Sequence, residues 1–519
     1  MQKYAEAETN KAFIAQLPKN LITNIAYFII NIIIGILLVP YFISTLGIAA
    51  YGLIPLATSI TGYVGIVILS LNTAVARYLT IDLQQEDYVA ANRTFNTAVI
   101  GLSAIIAIMI PVIIAIAYFV PKIFNVPAGF ENEAVFLFLG VFASLLIRSW
   151  SGNFTVPLFA YNRLDIQNIV NIINLIITNG LIILYFKAYN PNLAFIGIAN
   201  MIGAIIASAI AIILSKRICP YLKLAINSFD RSRLKALLDM GSWSIVNQIG
   251  SLLFLQIDLI VVNILFGAAI SGEYAIALMW GTLLRSIASV ISGVMTPMVF
   301  TYYAKGKIET LIKMMKSSVR LMGLLMALPI GLLCGFAPQI LTIWVGEKFA
   351  FLAPLVVLMA LHLTINLAVL PLFSINVAYN KIRVPGIVTL IMGGLNISLA
   401  VGLPLLAGWG FYGVAVAGAI VLTMKNAIFT PWYATKVMGI NTSTFTRSML
   451  PGIAMAIIII TGSIAVSMFV PLTSLISLAL VGCVFGIIYL FIIWKFILNK
   501  FELGLIGSYL PESLRRLVV

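Results

Sequence analysis

The stretch FAYNRLD at residues 159–165 returns as VAYNKIR at 377–383, with Ala160–Arg163 matching Ala378–Lys381 at a spacing of 218 residues. The coincidence is not isolated. NILFGAAISGEYAIA (263–277) resembles STLGIAAYGLIPLA (44–57) after a short insertion, and FIGIANMIGA (195–204) lines up with FYGVAVAGAI (411–420), pairing Gly197 with Gly413, 216 apart. Asp87 and Glu309 fall in equivalent loops, 222 apart. Offsets this similar mark two copies of one structural unit.

Composition says what the unit is made of. The chain is 62% hydrophobic and only 9% charged, and its apolar runs repeatedly exceed the ~20 residues that cross a bilayer as a helix. This is the signature of an all-α polytopic membrane protein. A pass along the sequence predicts about fourteen spans, near 20–45, 52–78, 94–119, 133–158, 166–187, 193–214, 240–266, 272–302, 315–338, 351–377, 384–406, 411–434, 449–470 and 474–497. Spans 1–6 and 7–12 are the two six-helix repeats. Six is even, so both copies enter from one side and are related by a pseudo-twofold axis along the membrane normal, as parallel repeats in transporters are. Two extra C-terminal helices have no counterpart.

The organisation expected is a cytoplasmic segment at 1–19, an N-lobe at 20–214, a cytoplasmic linker at 215–239, a C-lobe at 240–434, and spans 13–14 with a cytoplasmic tail at 435–519. Basic residues set this orientation, with both termini cytoplasmic in an integral, multi-pass cell membrane protein. The loops then outside carry only Lys122, Lys187 and Lys348, whereas Lys216, Arg217, Lys223, Arg231, Arg233 and Lys235 crowd the linker. The net charge of +15 therefore reads as an orientation signal and a contact with anionic lipid, at about 1 kcal/mol per basic residue near the surface, and not as nucleic-acid binding. In SFDRSRLKALLDMG, Ser228 can cap an amphipathic helix lying on the membrane surface. The polar N-terminal segment followed by a long span does not resemble a cleavable signal peptide.

Two lobes facing one another leave a central cleft that rocking opens to alternate sides, and polar faces identify what lines it. Asn20, Thr23, Asn24, Tyr27 and Asn31 share an arc of span 1; Ser244, Asn247, Ser251 and Asp258 share one on span 7. Span 5 presents Asn168, Asn171, Asn174, Thr178 and Asn179, which either line the cleft or hold the bundle together by interhelical hydrogen bonds. Buried charge is the sharper signal. Arg148, Arg285 and Lys425 sit at one depth, about 20 Å below the outer surface at ~1.5 Å rise per residue. Each costs ~2.5–3.5 kcal/mol at a helix centre, so three at one level point to a cationic cavity for an anionic cargo; Lys425 could instead snorkel. Arg77 at the inner end of span 2 is either an anionic-headgroup contact or an interfacial anchor. His362 and Asp258 are candidates for proton or cation coupling, with packing or charge pairing as the plain alternatives.

Other chemistries find no support. No phosphate-binding P-loop pattern occurs, and GWGFYG (408–413) falls in a short turn between membrane helices without the strand a dinucleotide site needs. Three separated cysteines and one histidine offer no zinc set. No cofactor, metal or catalytic constellation is expected, and short loops leave no room for an enzyme domain.

LVPYFISTLGIAAYG (38–52), IDLIVVNILFGAAISGEYAIA (257–277), the AYNR/AYNK turns and the fourteen-span layout together resemble the polysaccharide-transport branch, the Wzx-type flippases, of the MOP (multidrug, oligosaccharidyl-lipid, polysaccharide) exporter superfamily. The resemblance implies translocation of an isoprenoid-diphosphate-linked glycan, with basic cavity residues engaging the diphosphate, and membrane lipids and polysaccharide-assembly proteins as partners. Coupling to H+ or Na+ belongs to the same expectation. One departure stands out. Asn72 and Thr73 in LSLNTAVARYL (69–79) replace an acidic segment common in relatives. A MATE-like drug or organic-ion antiporter of the same architecture is the competing reading; it calls for carboxylates inside the first lobe.

Overall fold

A computed structural model describes the backbone over residues 2–507; the side chains of residues 2–15, 17, 67, 69–70, 226, 240–244, 246–247 and 506–507 lie outside the described set. Among the described residues thirteen helices are long and apolar enough to cross a membrane, and a bent pair, taken as one span, makes fourteen. The chain divides into two compact units, Met1–Gly272 and Glu273–Val519.

In the first unit, spans 1–6 are the helices Gln2–Leu46, Ile48–Gln84, Tyr88–Ile123, Glu131–Ala160, Leu164–Ala188 and Leu193–Ile218. Span 7 is the bent pair. Arg231–Leu255 and Ile257–Phe266 meet at 44°, where Gln256 leaves helical geometry and the Leu252 carbonyl accepts from both Gln256 N (2.9 Å) and Tyr63 Oη (3.0 Å).

The linker departs from expectation. Ser228 closes a 3-10 turn, Ile226–Ser228, and caps nothing; Asp230 is the cap, accepting from the backbone N–H of Ser232 and Arg233. Both residue types cap well, and Asp230 wins because its carboxylate also takes the Ser232 hydroxyl at 2.6 Å. Those hydrogen bonds hold the Asp230 carboxyl below its usual range. The helix it starts runs on into span 7 as one rod instead of ending as a separate surface helix. Upstream, Asn92 and Asn96 on span 3 hydrogen-bond the linker backbone at Tyr221, Lys223 and Ala225, and Thr97 receives Asp230 N. Arg233 completes the attachment through buried Asp82 (3.5 Å), which Thr94 also donates to.

In the second unit, spans 8 and 9 are Ala268–Ala304, which crosses the unit boundary, and Ile308–Gly335. Span 10 is broken into Ala353–Leu361, Leu363–Ala368 and Phe373–Ala378, with a 3-10 turn at Leu370–Leu372. Arg383–Ala407 is span 11. Span 12 joins Gly410–Thr423 and Thr430–Met438 through a π-helical segment, Met424–Phe429. Spans 13 and 14 are Thr444–Phe469 and Leu475–Ile492, and a last helix covers Lys500–Gly507.

The repeat is visible in the turns. Asn162 and Asn380 both hold positive φ, 56° and 52°. Around each, the same pair of bonds closes a Schellman cap: Arg163 N to Leu158 O with Asn162 N to Phe159 O, and Lys381 N to Asn376 O with Asn380 N to Val377 O. Asparagine is there because it tolerates the left-handed region better than other side-chain-bearing residues. A second pair of caps forms at Glu86 (φ 58°) and Gly306 (φ 65°), with Asp87 N to Asp82 O matching Lys307 N to Tyr302 O. By that hydrogen-bond register Asp87 pairs with Lys307, two residues before Glu309. GWGFYG is a helix–helix turn, with left-handed Gly408 capping span 11.

Candidate functional site

In the first unit, spans 4, 5 and 6 enclose a cavity of about 170 Å³. Span 4 supplies Arg148, Ser151, Gly152 and Thr155, which recur at helical spacing and so share a face. Span 5 adds Gln167, Asn171 and Asn174, and span 6 adds Ser208, whose hydroxyl lies 2.9 Å from that of Ser151. The remaining wall is apolar, from Leu158, Val170, Ala207 and Ala211, and no carboxylate lines the cavity. Asn174 Oδ1 is buried without a hydrogen-bond partner among the described residues. Such an acceptor is costly to leave unmade unless something enters to meet it.

Not every polar residue of the predicted stripes belongs here. Asn20 is a fastener. Its amide donates to the Asn162 carbonyl and Oδ1, both at 2.9 Å, and its own Oδ1 receives Asp165 N at 2.9 Å. Asn168 donates to Thr23, and Asn179 bonds back to Leu175 O. Asn24, Asn31 and Arg77 are exposed and line no part of this cavity. The side chains of Ser244 and Asn247 lie outside the described residues. Asp258 sits in the first turn of Ile257–Phe266, just past the bend of span 7, where a helix N-terminus favours a carboxylate.

In the second unit, the breaks in span 10 gather the predicted residues. Arg285 packs along Gly281 beside Met359 and Leu363, at the seam where His362 interrupts the helix. Asn366 Nδ2 lies 2.6 Å from His362 Nδ1, 2.9 Å from the His362 carbonyl and 3.4 Å from Thr423 Oγ1. Lys425 stands in the π-helical segment with Nζ 5.4 Å from the centre of the Phe373 ring, a geometry that attracts a cation. π-Segments of this kind recur at functional sites. Gln167, Ser208, Thr423 and Phe373 escaped the sequence reading. Single polar or aromatic residues on otherwise apolar helices give no periodic signal.

No family model matches the chain. Over 488 residues, 94% of this chain and 96% of the relative, it is 32% identical to a membrane protein of Bacillus subtilis (strain 168), "Uncharacterized membrane protein EpsK". Among solved structures it resembles the lipid II flippase MurJ in an inward closed conformation, with a TM-score of 0.60 at 16% identity, covering 92% of this chain and 98% of that one. An inward-facing multidrug resistance MATE family transporter of the MOP superfamily gives a TM-score of 0.56 at 15% identity, covering 82% of this chain and 94% of the other. These two likenesses establish the fold.

Proposed function

The chain belongs to one family with the Bacillus membrane protein EpsK and has the fold of MOP-superfamily transporters, and on that premise we propose that it is a flippase of the Wzx type. Its cargo is an isoprenoid-diphosphate-linked oligosaccharide, carried from the inner to the outer leaflet by alternating access between two lobes. The lining of the span 4–6 cavity carries this reading. One guanidinium among six hydroxyl and amide side chains, Ser151, Thr155, Gln167, Asn171, Asn174 and Ser208, with no acid, suits phosphate and sugar hydroxyls. It does not suit an organic cation, the cargo of a MATE-like antiporter.

In this reading Arg148, Arg285 and Lys425 hold the diphosphate and sugar, with Arg77, Asn24, Asn31 and Asn247 along the route. Asp258 and His362 serve coupling to H+ or Na+. Both termini are cytoplasmic, and polysaccharide-assembly proteins supply or receive the glycan.

The test is reconstitution in vesicles with a labelled diphospho-lipid-linked sugar, scored for leaflet accessibility with and without an ion gradient. Arg148→Ala and Arg285→Ala are each expected to abolish translocation while the protein inserts normally. Wild-type translocation by both single variants would defeat the cationic-cavity reading. Gradient-driven efflux of an organic cation, without sugar-lipid translocation, would favour the antiporter.

A further inference from the structure

Beyond the cargo route, the second unit holds a larger cavity, about 940 Å³, at the basic end of its spans. Span 9 contributes Lys313, Lys316, Ser317 and Arg320; spacings of three, four and seven residues place all four on one face. Opposite stand Asn441, Ser443, Thr444, Arg447 and Ser448 at the N-terminus of span 13, with Lys500 and Phe501 closing the third side.

The charge in this cavity is lopsided. Its lone carboxylate, Glu502, is 1% exposed and already engaged by Arg320 Nη1, at 3.3 Å and 3.4 Å to its two oxygens, and by Asn499 N. Lys313, Lys316, Arg447 and Lys500 are exposed and make no ion pair among the described residues. Arg320 adds an unmet need. Its Nη2 donates to Ile497 O at 2.7 Å, yet its Nε is buried with no acceptor among the described residues. Four uncompensated cations, serine and threonine hydroxyls, and the positive end of a 26-residue helix converge on a volume typical of small-molecule sites, roughly 300–1,000 Å³.

We propose that this cavity binds a phosphate-bearing group. Two sources share that chemistry: the headgroup of an anionic phospholipid in the adjoining leaflet, and a soluble phosphoanion. Exposed Phe501 at the rim suits the lipid, since an aromatic ring settles at the membrane–water interface. The inference stands apart from the proposed cargo. The cavity is built from spans 9 and 13 and the C-terminal helix, and it contains none of the residues assigned to transport.

The test uses the purified full-length protein in a neutral detergent, without added lipid. Three probes are compared by thermal unfolding: short-chain phosphatidylglycerol, its zwitterionic phosphatidylcholine counterpart, and inorganic pyrophosphate. Stabilisation by phosphatidylglycerol alone, weakened at least fivefold in apparent affinity in Lys313→Gln/Arg447→Gln, identifies a lipid headgroup site. Stabilisation by pyrophosphate with the same loss identifies a soluble phosphoanion. A footprint on the wild-type protein guards against a variant that fails to fold: the bound probe should slow acylation of Lys313, Lys316 and Lys500 relative to Lys216. No protection of those three lysines by either anionic probe overturns the proposal, as does equal protection by phosphatidylcholine.

Discussion

Spans 9 and 13 touch backbone to backbone at Gly323 and Gly452, and the contact is asymmetric. A Cβ added at Gly452 would lie 2.6 Å from the Gly323 carbonyl carbon, 2.8 Å from its Cα and 2.9 Å from its oxygen. Added at Gly323, it meets nothing closer than 3.5 Å, the Ala368 Cβ and the Gly452 Cα. Alanine raises helix propensity by ~1 kcal/mol at either position, so that gain cancels between the two variants and their difference isolates the clash. Restoring ordinary contact at 3.4 Å from 2.6 Å means opening the helix pair by about 0.8 Å, and gaps of that size forfeit roughly a quarter to a half of each dispersion contact. Overpacking of this kind costs ~1–3 kcal/mol. At about 2–4 °C per kcal/mol for a unit of this size, Gly452→Ala should melt several degrees below Gly323→Ala. Intrinsic tryptophan fluorescence on the purified protein reads this directly. A Gly452→Ala variant melting at or above Gly323→Ala would refute the account of the seam.

The twin caps should tolerate different substitutions. Asn380→Gly should be neutral within ~0.5 kcal/mol and Asn380→Ala should cost ~1–2 kcal/mol for its left-handed backbone. Asn162→Gly should cost ~1 kcal/mol more than Asn380→Gly, because Asn162 also accepts from Asn20; equal melting temperatures for the two glycine variants would count against the fastener. Arg320→Ala strands Glu502 in the interior at a cost of about 2 kcal/mol, less than a fully buried pair because Arg320 is 26% exposed. The C-terminal helix should then detach and become protease-sensitive after residue 498, while Arg320→Met/Glu502→Leu keeps it docked. Unchanged digestion of Arg320→Ala would show that other contacts hold the helix.

Much of this is legible in the sequence. The repeated AYN marked a real duplicated cap because a left-handed residue inside a helix–turn–helix admits few side chains, so the sequence there is tightly determined. Arg148 was legible as a charge inside an apolar span, and Asn171 and Asn174 because polarity at helical spacing on an apolar rod marks one face. What failed was anything decided by competition or by distant partners. Ser228 and Asp230 are both good caps, and only the bonds to Ser232 and Arg233 separate them. Asn20 carries the same polar signal as Asn24, yet it is claimed by a turn 142 residues away. The breaks at His362 and Leu370–Leu372 interrupt a run whose hydropathy never falters. Lys313, Lys316 and Arg447 were absorbed into the orientation signal, since a charge count along the sequence does not register that they face one hollow.

The two ends of the span 4–6 cavity are each fixed by something rigid. At one, Asn20 stitches the Asn162 turn to the start of span 5; towards the other, Gly140 and Gly197 bring spans 4 and 6 into backbone contact. A receptacle held at both ends has little freedom left to surrender when it fills. If the proposed cargo enters here, it meets Arg148 and the span 5 amides between two closed seams, and the entropic penalty of capture falls mainly on the guest.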